Sequence, residues 1–234
     1  MKMQLRLKSE GPGRGWWGPP KGTHTAANVS GGEEKAQEPR KIGTKEEADQ
    51  FFANTFGETW GEGLSEEEKE AVDKYCGGAY RARNAYLRGK WPPAPKAGES
   101  VEDILELYED DIAKVKQANS AMDKAFSAGG KQISEPMVVY RGGGRQIADL
   151  PVGAEFTDKG YLSTSVLSYE ASDFVKARSV FSRIVVPKGK TALWGTDYEK
   201  ELIFPRGTSF RVKAKEERNK FGSKPFTYVE LEML

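Results

Sequence analysis

Apolar positions recur at three- and four-residue intervals from about residue 44 to 130, and from Met137 onward they come as short runs separated by Pro/Gly turns. The first pattern predicts amphipathic helices and the second predicts strands. Three helix starts carry capping-box spacing: Thr44 with Glu47, Ser65 with Glu68, and Ser100 with Asp103. The first helix should bury Ala48, Phe51, Phe52 and Thr55, and the second Val72, Tyr75, Cys76 and Ala79. The third reads as one long helix with Val101, Ile104, Leu105, Tyr108, Ile112, Val115, Met122 and Phe126 on one face. The prolines of Trp91-Pro92-Pro93-Ala94-Pro95 must break the helix before it. Gly77-Gly78 falls in mid-helix, at a cost on the order of 1 kcal/mol per glycine relative to Ala, which suggests close backbone approach by a ligand or another helix.

Strands are expected at about 137–141, 160–166, 181–186, 190–194, 200–204, 208–213 and 226–233, with one short helix from Tyr169 to about Ala177 capped by Ser168. Leu202-Ile203-Phe204 and Ser209-Phe210-Arg211-Val212 flank the turn Pro205-Arg206-Gly207 and read as the two strands of a hairpin. Helices followed by strands predict an α+β fold, with N-terminal helices packed on a mostly antiparallel β core.

Composition narrows the chemistry. Residues 1–43 are rich in Gly and Pro, carry eight Lys/Arg against four Glu, and show no hydrophobic period, so a flexible basic arm is expected ahead of a folded domain at 44–234. Trp16-Trp17 in that arm could anchor a partner, and the run around it resembles segments of phage head proteins. A net charge of +1 suggests no nucleic-acid partner, and no apolar run approaches the roughly 18 residues of a membrane span. The N-terminus lacks the apolar core of a secretory signal, so a cytoplasmic location, or a phage virion with delivery to a host cell, is expected. The chain has one cysteine, Cys76, and one histidine, His24. That excludes an internal disulfide, leaves no Cys/His structural zinc site, and leaves only His24 for a histidine relay. No metal is expected, and Cys76 reads as an ordinary buried thiol.

The remaining candidates are carboxylates, Arg, Ser and Tyr. Glu199 and Glu201 alternate with Lys200, Leu202 and Phe204, so both carboxylates should project to one face of a strand. Like charges that close raise each other's pKa and need either open solvent or a cationic partner. A solvated strand end is the plain alternative. Upstream, Arg141 ends a Val-Val-Tyr strand before Gly142-Gly143-Gly144-Arg145-Gln146, where a guanidinium could grip a phosphate with two parallel hydrogen bonds. Pro151 and Gly153 argue against the helix that a Rossmann fingerprint would require.

Arginine on one strand, Ser163-Thr164-Ser165 on a second and Glu199-Lys200-Glu201 on a third, with Phe204-Pro205-Arg206-Gly207-Thr208 following, resembles the R-S-E class of mono-ADP-ribosyltransferases. The likeness extends to clostridial binary-toxin enzymatic components and phage-encoded relatives, over roughly residues 44–234. It implies a sheet split around an NAD cleft and transfer of ADP-ribose from NAD to an arginine of a target protein. By the resemblance, Arg141 holds NAD phosphate and Gln146 lines the same pocket. Tyr80 and Asn84 border the dinucleotide, with Tyr75 matching a third position or simply packing between helices. Ser163 orients the catalytic glutamate, Glu201 stabilises charge on the ribose, and Glu199 serves the arginine acceptor. Gly142 stands where relatives carry a second Arg, whose charge Arg145 would supply, and Lys176 and Arg178 lie near a further basic position. The loop Trp194–Tyr198, with two ring side chains, would meet the target. Two rivals are an NAD glycohydrolase that uses water alone and a catalytically inactive virion or scaffold-binding protein.

Overall fold

The structure, a computed structural model, describes residues 37–57, 60–175, 180–218 and 225–234, without the side chain of Arg145. Trp16, Trp17, His24, Lys176 and Arg178 lie outside the described residues.

Helices α1 (Lys45–Phe56), α2 (Glu66–Lys74) and α4 (Val101–Leu107) each begin with both halves of the expected capping box, on Thr44, Ser65 and Ser100. The reciprocal bonds satisfy amides that the first turn leaves without partners, which is why short polar side chains at these spacings start helices. Helix α2 runs through a π-turn at Tyr75–Ala79 into α3 (Tyr80–Leu87). Gly78 sits there at φ 121°, and open space surrounds both glycines. The pair thus permits a backbone kink, whereas the sequence suggested close approach. The expected long third helix is two, α4 and α5 (Glu109–Gly129), broken at Tyr108. Val101 and Leu105 are exposed, and only Ile104, Met122 and Phe126 of the expected stripe are fully buried. Ile42 is buried and Arg40 bridges to Met137, so packing begins just ahead of α1.

Nine strands form among the described residues: β1 (Lys131–Gln132), β2 (Met137–Gly142), β3 (Glu155–Asp158), β4 (Leu162–Ser165), β5 (Val180–Val186), β6 (Thr191–Trp194), β7 (Glu201–Phe204), β8 (Thr208–Arg218) and β9 (Phe226–Met233). Their order is β1-β6-β7-β4-β2-β5-β9-β8-β3, and every described pairing is antiparallel except β5 with β9. The α+β expectation holds. β1 and β3 escape the sequence pattern because one has two residues and the other, Glu-Phe-Thr-Asp, is mostly polar. The short helix α6 spans Ser168–Ser172, with Leu167 rather than Ser168 at its cap and no side-chain cap bond.

The expected hairpin does not form. β7 lies between β6 and β4, whereas β8 pairs with β9 and β3 at the far end of the sheet. Every residue of β7 is buried: Leu202 and Phe204 join one core with Phe52, Phe56, Val139 and Leu162, and Ile203 joins a second with Val72, Tyr75, Met122 and Tyr161. Burial is worth about 1.5–3 kcal/mol for each such side chain, so a central place outweighs the local turn preference. Both hydrogen-bonding edges of β7 are then occupied, and Pro205–Gly207 carries the chain across to the other half of the sheet.

Candidate active site

Strands β2, β4 and β7 are consecutive in the sheet, and they bring Arg141, Ser163 and Glu201 together. Tyr140 stands opposite Ser165, and Ser165 opposite Glu201. Arg141 donates through Nη1 to the carbonyl oxygen of Ser163, and the Ser163 hydroxyl donates to Oε1 of Glu201. Oε2 of Glu201 accepts the Thr196 amide at 3.2 Å. Both carboxylate oxygens are therefore held, and the side chain is buried. Thr164 donates to the carbonyl of Leu202 at 2.9 Å, tying β4 to β7, and Ser165 donates to that of Glu199 at 2.7 Å, tying β4 to the turn before β7.

A Cβ on Gly195 would stand 2.3 Å from Oε2 of Glu201 and 2.6 Å from Cδ. The obstructing atoms are the end of a side chain, so the fold can absorb the collision but the carboxylate cannot stay in place. Gly195→Ala should lower any activity that depends on Glu201 by about tenfold or more. Circular dichroism and thermal melting of the variant, measured beside that activity, should show the fold retained.

Glu199 departs from the sequence expectation. The strand starts at Glu201, and residues 197–200 form a turn in which Lys200 has φ 46°. The two carboxylates are therefore not partners on one strand face, though they remain close. Glu199 is half-buried, and burial raises its pKa, with the charges of Glu201 and Glu170 adding to the effect. Cys76, on the π-turn, is also half-buried rather than a core thiol, and burial followed by the Glu201 charge pushes its pKa up. Sequence periodicity could not reveal that the thiol stands beside the glutamate.

A cavity of about 140 Å³ opens beside Arg141, lined by Arg88, Lys90, Gln146, Asp158 and Ser182, among others. Arg141 and Gln146 thus line one cavity. It is smaller than the roughly 300–1,000 Å³ of pockets that enclose a whole ligand, so it has room to enclose only part of a ligand of that size. Arg88 grips Asp158 with two bonds of 2.8 Å. Arg88 follows Asn84 by one helical turn, a spacing visible in the sequence. Ser182 has no such signal. It pairs with Arg141 across β2 and β5, and its hydroxyl is fully buried in the cavity wall without a hydrogen-bond partner among the described residues. Burial pulls the Arg141 pKa down, and Tyr75 and Asp158 act in the opposite sense.

Asn84 is committed to the backbone. Its Oδ1 accepts the Tyr161 amide at 2.9 Å, and its Nδ2 donates to the Tyr161 carbonyl and the Tyr75 hydroxyl, each at 3.1 Å. Burial pushes the Tyr75 hydroxyl up to about 12, so it stays protonated and bonds to Tyr161 as well. Tyr80 is half-buried against Tyr75, with ring centroids 6.1 Å apart, and accepts a bond from Arg81. Gly142, which by the resemblance stands where relatives carry a second arginine, has no room for a side chain: a Cβ would come within 2.7 Å of both the Ala171 carbonyl and Phe174. Trp194 is not a target-facing ring, because it packs against Phe52, Phe56 and Trp60 at 5.0–6.0 Å. Tyr198, 86% exposed, is the ring this loop presents.

Solved structures of ADP-ribosyltransferase toxins share this fold. Plx2a from Paenibacillus larvae matches with a TM-score of 0.61 at 22% identity, covering 81% of this chain and 96% of that one. BECa of a binary enterotoxin of C. perfringens, solved with NADH, matches at TM-score 0.60 and 19% identity over 82% of this chain and 49% of that one. Vis from Vibrio splendidus, solved with agmatine, gives 0.57 and 19% over 81% and 84%. The family model described as ADP-ribosyltransferase exoenzyme matches residues 49–232, and the chain belongs to that family. No curated protein sequence matches it significantly.

Proposed function

We propose that this protein transfers ADP-ribose from NAD to an arginine side chain of a target protein, releasing nicotinamide. The observation that carries the reading is the continuous contact from Arg141 through Ser163 to a doubly held Glu201, beside a cavity walled by cationic side chains. The residues fit a dinucleotide. Arg141 offers a guanidinium group suited to phosphate, Arg88 adds positive charge although Asp158 takes its Nε and Nη2, and the Ser182 hydroxyl, unpartnered among the described residues, offers a further bond in the same cavity. Gln146 lines the pocket with them, whereas Tyr80 and Asn84 stand outside its lining and Asn84 contributes by shaping the Tyr161 backbone.

Bound NAD supplies a nicotinamide–ribose bond whose cleavage leaves positive charge on the ribose, as in glycoside cleavage. Glu201 sets a fixed negative charge against that developing charge, in a site where hydrogen bonds to Ser163 and Thr196 have already oriented it. Arginine is a poor nucleophile while protonated, so the acceptor needs a carboxylate to orient it and take its proton. Glu199, close to Glu201 and with a raised pKa, is suited to that role. Incubation with labelled NAD and a cell lysate, followed by mass spectrometry of the modified residue, tests the reading. ADP-ribose on arginine is the expected product. Free ADP-ribose alone would make the protein a glycohydrolase, and intact NAD would overturn an enzymatic role.

A further inference from the structure

Lys200 sits between the two glutamates and is 1% exposed. Among the described residues it is the single non-glycine with positive φ, 46°. A side-chain-bearing residue in that conformation needs surrounding bonds to hold it. Its ammonium supplies them, reaching Asp49 of α1 at 2.5 Å and also Asp197 of its own turn. The backbone is tied too: the Lys200 carbonyl accepts the Val166 amide at 3.1 Å, and the Glu199 amide approaches the Thr196 hydroxyl at 3.4 Å. Burial disfavours the charged ammonium, but the two carboxylates more than compensate, so the Lys200 pKa is raised.

Building on the transfer reading above, we propose that Lys200 is a positioning residue that sets how cleaved NAD partitions between an acceptor and water. Its clamp to α1 holds the 197–200 turn in the left-handed kink that brings Glu199 beside Glu201. Glu201 itself does not depend on the clamp, because Ser163 on β4 and the Thr196 amide hold its oxygens. Losing the ammonium should therefore release Glu199 and leave Glu201 in place. Asp49 and Asp197 have side chains 53% and 68% exposed, so water can solvate both when the lysine charge is removed. Lys200→Met keeps much of the stem volume and should fold.

The test compares the full chain with Lys200→Met, Lys200→Arg and Asp49→Asn. Nicotinamide release, ADP-ribose transfer to agmatine as a free guanidinium acceptor, and amide hydrogen exchange over the turn at residues 197–200 are followed. In Lys200→Met, exchange in that segment should rise about tenfold or more, with the rest of the sheet unchanged. Nicotinamide release should stay within about threefold of the parent, while transfer per NAD cleaved falls about tenfold or more. Asp49→Asn should shift partition in the same direction by less, and Lys200→Arg should recover part of it by keeping the charge. Unchanged exchange, unchanged partition, or a parallel fall of both activities with melting temperature would each overturn the proposal. A parent that releases no nicotinamide would instead overturn the transfer reading, while the exchange result would still report on the clamp.

Discussion

Replacing Glu201 with Gln should lower nicotinamide release by about 10²–10³-fold, the scale at which one preorganised electrostatic contact to a transition state is lost. The amide keeps the size of the carboxylate, and with its oxygen accepting the Thr196 amide and its NH2 donating to the Ser163 hydroxyl oxygen both contacts can be kept, so the loss would come from charge rather than packing. Because stabilisation that grows only in the transition state acts on the chemical step, the fall should appear in kcat with little change in KM. Cleavage and transfer should decline together, since both pass through the same bond breakage. Steady-state kinetics with nicotinamide as the readout, supported by a melting curve, checks this. An activity equal to the parent's would remove Glu201 from the chemistry.

Glu199→Gln should separate the two activities: transfer to arginine falls by about 10²-fold or more, the contribution of a positioned general base, while NAD hydrolysis persists. The pH dependence provides a second readout. Burial, then the charges of Glu201 and Glu170, raise the Glu199 pKa, so the carboxylate needed by the acceptor forms only above the ordinary glutamate range. The acid limb of transfer should therefore lie above that range in the parent and disappear in the Gln variant. Stability follows the same sign. The folded protein holds this proton more tightly than the unfolded chain does, so Glu199 weakens the fold as pH rises from the ordinary value through the raised one. Glu199→Gln removes that cost, and its melting temperature relative to the parent should rise across that window and level off above it. Equal loss of transfer and hydrolysis would place Glu199 in the cleavage step instead.

Much of the architecture was legible because it depends on neighbours in the chain. Capping boxes at Thr44, Ser65 and Ser100 join residues three apart, and strand alternation around Val138–Arg141 and Ser163–Ser165 is a period-two pattern, so one sequence displays both. The order of Arg, Ser-Thr-Ser and Glu-x-Glu implied the family without coordinates. The pairing of β7 was not legible: the turn at Pro205–Gly207 predicts a hairpin, but burial on both faces places β7 between β6 and β4. The breaks at Gly78 and Tyr108 were likewise not legible, since the helical period runs on through both.

The amino-acid order by itself determined which groups could do chemistry here, because a single histidine and a single cysteine leave carboxylates, guanidinium groups and hydroxyls. Tertiary structure alone decided which of them meet. It gave Glu201 its two bonds, put Ser182 beside Arg141, denied Gly142 a side chain, and sent the Lys200 ammonium to Asp49 on the first helix. Those contacts join residues far apart in the chain, and their strength depends on burial and direction, which no local pattern records.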